Sequence, residues 1–307
     1  MDMETFCREL VGCLKEGLDG DVQISVHKTY KNNDFCLHGI LISYGNQQCV
    51  PSIYVDGYFQ KYKMGMMSLG QIACEVIKER DALEHQGIAP LEELTWEKVK
   101  DRVFCRLVNL GRNKKKLADM PYMEYLDLAI VCRWLYSADE KGVASAEVTY
   151  AELELFGVTK EKLFAQARKN TEKLFPVEFQ SLLSMIEAVR GKKLSPKEIG
   201  IGENVDMEAD SRIAMYVLTN TTGINGAGVI LYPDVLKKVA EQLNTDTLYL
   251  LPSSVHEFMV LPECNSVADM KELVAEANHC AVASVDVLSD SVYRYDRVTD
   301  RVEIAGE

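Results

Sequence analysis

The chain has no C-x-x-C pair, no glycine-rich loop ending in G-K-[ST], and no apolar run approaching the ~18 residues of a membrane helix. Its amino terminus, MDMETFCREL, is charged from the second residue and lacks the apolar stretch of a signal peptide. These absences exclude a local zinc knuckle, a P-loop nucleotide site and a helical membrane anchor, and they predict a cytoplasmic protein. The nine cysteines (7, 13, 36, 49, 74, 105, 132, 264 and 280) are odd in number and scattered, so they are expected reduced and mostly buried as small apolar side chains. Basic residues are scarce as well: 34 Lys and Arg face 47 Asp and Glu, a net charge of -13 that repels a bare phosphate backbone. Nucleic acid is not the expected partner, and no cofactor or metal is expected.

What is present is an ordinary globular composition, 47% hydrophobic and 26% charged over 307 residues, enough for two domains. Phe6, Leu10 and Leu14 recur every fourth residue and predict an amphipathic helix over 3–18. Val22, Ile24 and Val26 alternate with polar residues as a half-buried strand, followed by strands at Phe35–Tyr44 and around Cys49–Val55, the last held to an edge or bulge by Pro51. Ser68 and Gln71 form a capping box that opens a helix to about His85. Residues 1–95 are therefore expected to form an amino-terminal domain of one helix, three antiparallel strands and a second helix.

Residues 96–307 are expected to form a larger α+β domain, an antiparallel sheet with helices packed mainly on one face. Val103–Leu110 and Leu126–Tyr136 are apolar runs suited to a long hairpin, 148–156 is ambiguous between strand and helix, and Val158-Thr159 with Glu161 starts a helix. A second helix is expected over Val177–Val189, after Pro176. Two successive strand–strand–helix units then follow, 213–219, 227–232 and 233–243, and 247–251, 256–261 and 266–278. A hairpin of 291–296 and 302–304 closes the pattern.

Chemically useful side chains crowd together in one place, the turn Pro252-Ser-Ser-Val-His-Glu257. Read as chemistry, His256 is a general base, Ser253 or Ser254 a nucleophile or oxyanion donor, and Glu257 orients a ligand, with Asn170, Asp290 or Asp296 completing the set. On a regular strand Ser254 and His256 stand ~6.5–7 Å apart and Glu257 faces the other way, so only an irregular turn joins them. Read as architecture, the proline sets the turn, the serines satisfy its backbone, and His256 and Glu257 bond across the hairpin. Asn220–Gly228 reads as a hairpin loop, Arg112–Lys116 as a solvated basic loop with an acidic or phosphate partner as its alternative, and Glu203–Asp210 as a solvated linker.

Several segments together are familiar: Gly157-Val-Thr-Lys-Glu-Lys-Leu163 through Ala167 and Asn170-Thr171, Gly226-Ala-Gly with Leu231-Tyr-Pro233, LPSSVHE at 251–257, and Leu288-Ser-Asp-Ser-Val-Tyr293. They resemble domain-of-unknown-function family 5688, proteins of anaerobic Gram-positive bacteria. The resemblance implies a bacterial, cytosolic origin and marks LPSSVHE and LSDSVY as the segments to probe, but it carries over no activity, cofactor or catalytic residue. The function expected is that of a non-enzymatic binding or regulatory protein that contacts another protein or a second copy of itself; the alternative is a hydrolase or transferase with its site near 252–257.

Overall fold

A computed structural model describes residues 1–45, 50–85, 94–139, 142–190, 215–262 and 266–306. The segment 203–210, Cys49 and Cys264 lie outside these residues. The chain divides into two compact units, Met1–Leu94 and Thr95–Glu307.

In the first unit, helix α1 (Met3–Gly17) leads to strands β1 (Val22–Tyr30), β2 (Cys36–Tyr44) and β3 (Ser52–Tyr54), then helices α2 (Asp56–Lys63) and α3 (Leu69–His85). The strands form an antiparallel sheet in the order β1-β2-β3, which leaves the short β3, just after Pro51, at an edge. Ile40, Ile42 and Ile53 share the face onto which α1 presses Phe6, Leu10 and Leu14 and α3 presses Ile72 and Val76. Each such side chain contributes about 1.5–3 kcal/mol by leaving water, so this stripe holds the unit together. The Ser68–Gln71 capping box forms as expected, Ser68 N–H donating to Gln71 Oε1 and Gln71 N–H to Ser68 Oγ. Helix α2 has no counterpart in the sequence reading; it buries only Phe59, against Phe6, too short a periodic signal to stand out.

The second unit is α+β with two antiparallel sheets. Helix α4 (Trp96–Val99) precedes β4 (Val103–Asn109), helix α5 (Lys114–Leu117), β5 (Tyr122–Tyr125), β6 (Leu128–Asp139) and β7 (Gly142–Glu147). β6 is the central strand of this first sheet, with β4 along one side and β5 and β7 along the other. The two apolar runs do pair, but the stretch between them supplies β5 instead of a plain hairpin loop. It is also no solvated loop at its ends: Arg112 pairs with Asp290, Lys116 with Glu147, and Asn113 and Leu117 are buried. The ambiguous 148–156 stretch is helix α6 (Tyr150–Phe156), because Thr149 and Glu152 form a capping box, and it ends at Gly157 with φ 60°. Helix α7 (Lys160–Leu174) starts from the Thr159 cap and lays Leu163, Phe164, Ala167 and Thr171 against β4.

The second sheet comprises β8 (Val177–Ser181), β9 (Tyr216–Asn220), β10 (Thr247–Ser254), β11 (Glu257–Leu261), β12 (Tyr293–Asp296) and β13 (Arg301–Ile304), in the order β13-β12-β10-β11-β9-β8. Helices α8 (Leu182–Arg190), α9 (Val235–Gln242) and α10 (Val267–Cys280) connect its strands. Two expectations are corrected here. The helix expected from Val177 begins at Leu182, because Val177–Ser181 pairs with β9 and stacks Phe179 on Tyr216. The strand expected over 227–232 is a buried 3-10 turn, Gly226–Leu231, so Asn220–Gly228 is no hairpin loop and the two strand–strand–helix units do not repeat. An apolar run buried all round carries no period to tell strand from helix.

Candidate functional site

The Pro252–Glu257 turn owes its shape to a β-bulge. The register between β10 and β11 shifts between Pro252 and Ser254, which leaves Ser253 as the extra residue and Val255-His256 as a two-residue turn. The bulge brings Ser253 Oγ within 3.1 Å of Glu257 Oε1, to which it donates, while Ser254 Oγ accepts from the His256 N–H at 3.1 Å. The irregular geometry that would unite these groups therefore exists, but neither serine hydroxyl is bonded to the His256 ring.

That ring is engaged elsewhere. Asn225 N–H donates to His256 Nδ1 at 3.1 Å, and Nε2 stands 3.5 Å from Asp286 Oδ1. A neutral imidazole that accepts a backbone N–H at Nδ1 carries its proton on Nε2, so the proton points at the carboxylate. No lone pair is left to take a proton from a substrate in this arrangement. The backbone is held as tightly: Thr219 Oγ donates to His256 O at 2.8 Å, Val255 N–H to Asp286 O at 2.8 Å, and Ala227 N–H to Val255 O at 3.3 Å. Gly226 is the reason the turn can dock here, since a Cβ at that position would collide with the Thr219 hydroxyl and the His256 carbonyl oxygen. Asn225 and Asp286, the two partners of the ring, lie 31 and 30 residues from it in the chain; the only local signal was the Asn-Gly pair at 225–226, where Asn225 adopts φ 54°.

The remaining residues considered for the site are each committed to other work. Asn170 Nδ2 donates to the carbonyls of Lys100 and Val103 at the start of β4, Asp290 pairs with Arg112 and accepts from Asn278, and Asp296 caps the turn at Thr299.

The LSDSVY segment closes on a residue the sequence reading did not single out. Asp127, in the two-residue turn between β5 and β6, accepts from Tyr293 OH at 2.6 Å, from Ser289 Oγ at 2.5 Å and from Ser291 Oγ at 3.1 Å. Asn109 Nδ2 adds a bond to Leu288 O at 2.9 Å. The segment thus rivets one sheet to the other. Burial and the Asp127 charge push the Tyr293 phenol far above its ordinary pKa, which favours the protonated, donating form.

A third polar cluster stands on one face of the β4–β7 sheet. Arg133 of β6 sits opposite Phe104 of β4 and Glu147 of β7, and Arg106 lies two residues beyond Phe104 on the same face. Glu147 Oε1 accepts from Arg133 at 2.7 Å and from Lys116 at 2.5 Å. Burial opposes ionisation of Glu147, yet the two cations outweigh it and hold its carboxyl below the ordinary 4.5. The sequence analysis did not single out this cluster; the signal that could have found it is a lone arginine in each of two otherwise apolar runs, VFCRLVN and LAIVCRWLY. Among the described residues no group of three or more His, Cys, Asp or Glu is arranged to hold a metal ion, and no helix is long and apolar enough to cross a membrane.

No curated protein and no solved structure matches this chain. The model of the family of unknown function DUF5688 matches residues 3–297, and the chain belongs to that family.

Proposed function

We propose that the protein is a non-enzymatic binding or regulatory protein of the bacterial cytoplasm, acting on another protein or on a second copy of itself and not on nucleic acid or membranes. The observation that carries this reading is the engagement of both His256 ring nitrogens, by Asn225 N–H and by Asp286, with Ser253 and Ser254 spent on Glu257 and on the turn backbone. A nucleophile needs a base within reach of its proton, and here the base is occupied. The net charge of -13 argues against a phosphate backbone as partner.

A hydrolase or transferase is the second reading, favoured by the 3.5 Å approach of Asp286 to His256 Nε2, the carboxylate–imidazole contact that acid–base sites use. Assays against ester, phosphoester and acyl-transfer substrates separate the two. The binding reading expects no turnover above buffer from the wild-type chain. Turnover that disappears in both His256→Ala and Ser253→Ala, with folding intact by circular dichroism, would establish the enzyme reading instead.

A further inference from the structure

Arg106 is the one residue of β4 that is not fully buried, and its side chain enters the polar cluster on the sheet face beside Arg133, Glu147 and Lys116. Its Nε is sealed from solvent and bonded to nothing, and among the described residues no hydrogen-bond or ion-pair partner reaches the guanidinium. An arginine brings five donors in a fixed fork, and one of them, the Nε–H of Arg106, is buried here with no bond in place of its hydration. Such a group is retained at a cost to stability unless something outside the chain completes it.

The carboxylates nearby do not fill that role. Glu147 is taken by Arg133 and Lys116. Asp286 acts on Arg106 through space but lies against His256 Nε2. Arg133 is itself spent, its Nε donating to Ser145 Oγ at 3.0 Å and its NH2 to Ser145 O at 2.6 Å. Among the described residues, Arg106 is therefore the arginine of this cluster with no carboxylate bonded to it. In a chain of net charge -13 this is a local island of opposite sign, with the Nε sealed from water and the side chain only partly covered.

We propose that Arg106 is the anchor of a binding site for a small oxyanion, a phosphate or carboxylate group held by the guanidinium fork, with Lys116 and Arg133 keeping Glu147 turned away from it. Burial and the neighbouring Arg133 draw the Arg106 pKa down to about 10, still well above neutrality, so the fork is charged at working pH. The geometry suits an oxyanion because parallel N–H donors match two oxygens of a phosphate or carboxylate at once. This inference goes beyond the reading of the 252–257 turn and fails or holds separately from it.

The test is titration of the full-length chain with phosphate, sulfate, acetate and succinate at constant ionic strength, followed by the thermal midpoint and by calorimetry. Saturable binding and a raised midpoint are expected for at least one of the anions, with affinity lost at least ~10-fold in Arg106→Gln, equivalent to ~1.4 kcal/mol, and retained in Lys237→Gln on the exposed face of α9. A response to phosphate and sulfate alone identifies a tetrahedral ligand, and a response to acetate or succinate a carboxylate. Because Arg106→Gln can misfold, the Arg106 Nε–H resonance is followed by NMR in the wild-type chain, where saturable movement with the same anion is expected. An Nε–H that does not move, no response to any anion, or an equal response in Arg106→Gln overturns the proposal.

Discussion

Tyr293 and Asp127 offer the sharpest test of how the second unit is held together. Tyr293→Phe removes one hydroxyl and leaves the packing of a fully buried ring, including its edge contact with Phe258, in place. The bond lost is a short one, 2.6 Å, to a carboxylate that keeps two other donors, Ser289 and Ser291. Charge-assisted bonds contribute about 1.5–3 kcal/mol net, and with two donors retained the lower half applies, about 2 kcal/mol. Asp127→Ala strands three hydroxyls, one of them on a fully buried tyrosine, and is expected to cost about 4 kcal/mol. Once Asp127 is gone the Tyr293 hydroxyl has nothing to donate to, so the double variant should lose about 2 kcal/mol less than the sum of the single losses. Both tryptophans, Trp96 and Trp134, lie in this unit, so urea unfolding followed by their fluorescence reports on it directly. A Tyr293→Phe variant within about 0.5 kcal/mol of wild type, or strict additivity, would refute the reasoning.

Three further outcomes are expected. Gly226→Ala drives a Cβ into the Thr219 hydroxyl and the His256 carbonyl, both held by hydrogen bonds, and should cost about 3 kcal/mol in urea unfolding; an unchanged midpoint would mean that the turn is not packed as described. Glu147 has its folded pKa depressed, so its stabilisation is fully present above the ordinary 4.5 and is lost as pH falls through the lower folded value. Unfolding free energies across the acid range should accordingly fall less steeply for Glu147→Gln than for wild type, and parallel curves would contradict the assignment. Cys105 and Cys132 stand directly opposite one another on β4 and β6, and since Leu135 N–H bonds to Arg102 O, the alternation makes theirs a non-hydrogen-bonded row with Cα atoms about 4.5 Å apart. That spacing fits a disulfide, so diamide should yield a Cys105–Cys132 bridge on peptide mapping, and its failure even in mild denaturant would argue against the register.

Where a residue's neighbours in the chain are also its neighbours in space, the sequence sufficed. The helix over Met3–Gly17, the Ser68–Gln71 cap, the Thr159 cap and the strands β1, β2 and β10 through β13 all follow from local periodicity or capping chemistry. The α+β class and the family membership were legible in the same way. Legibility ended where burial erased the period, as in the 3-10 turn at Gly226–Leu231, or where pairing with a distant strand overrode local pattern, as in Val177–Ser181.

The site divides along the same line. The sequence by itself determined that Ser253, Ser254, His256 and Glu257 would share one turn, and that a hairpin would close the described chain over 291–296 and 302–304. Only the tertiary structure decided their partners: Asn225 and Asp286 for the His256 ring, Asp127 for Ser289, Ser291 and Tyr293, and, among the described residues, none for the Arg106 Nε. Hydrogen bonds and ion pairs act over about 3–4 Å, and chain segments tens to more than a hundred residues apart reach that range only through the packing of sheets and helices. The chemistry of each side chain is therefore local, whereas its freedom to act is set by the fold.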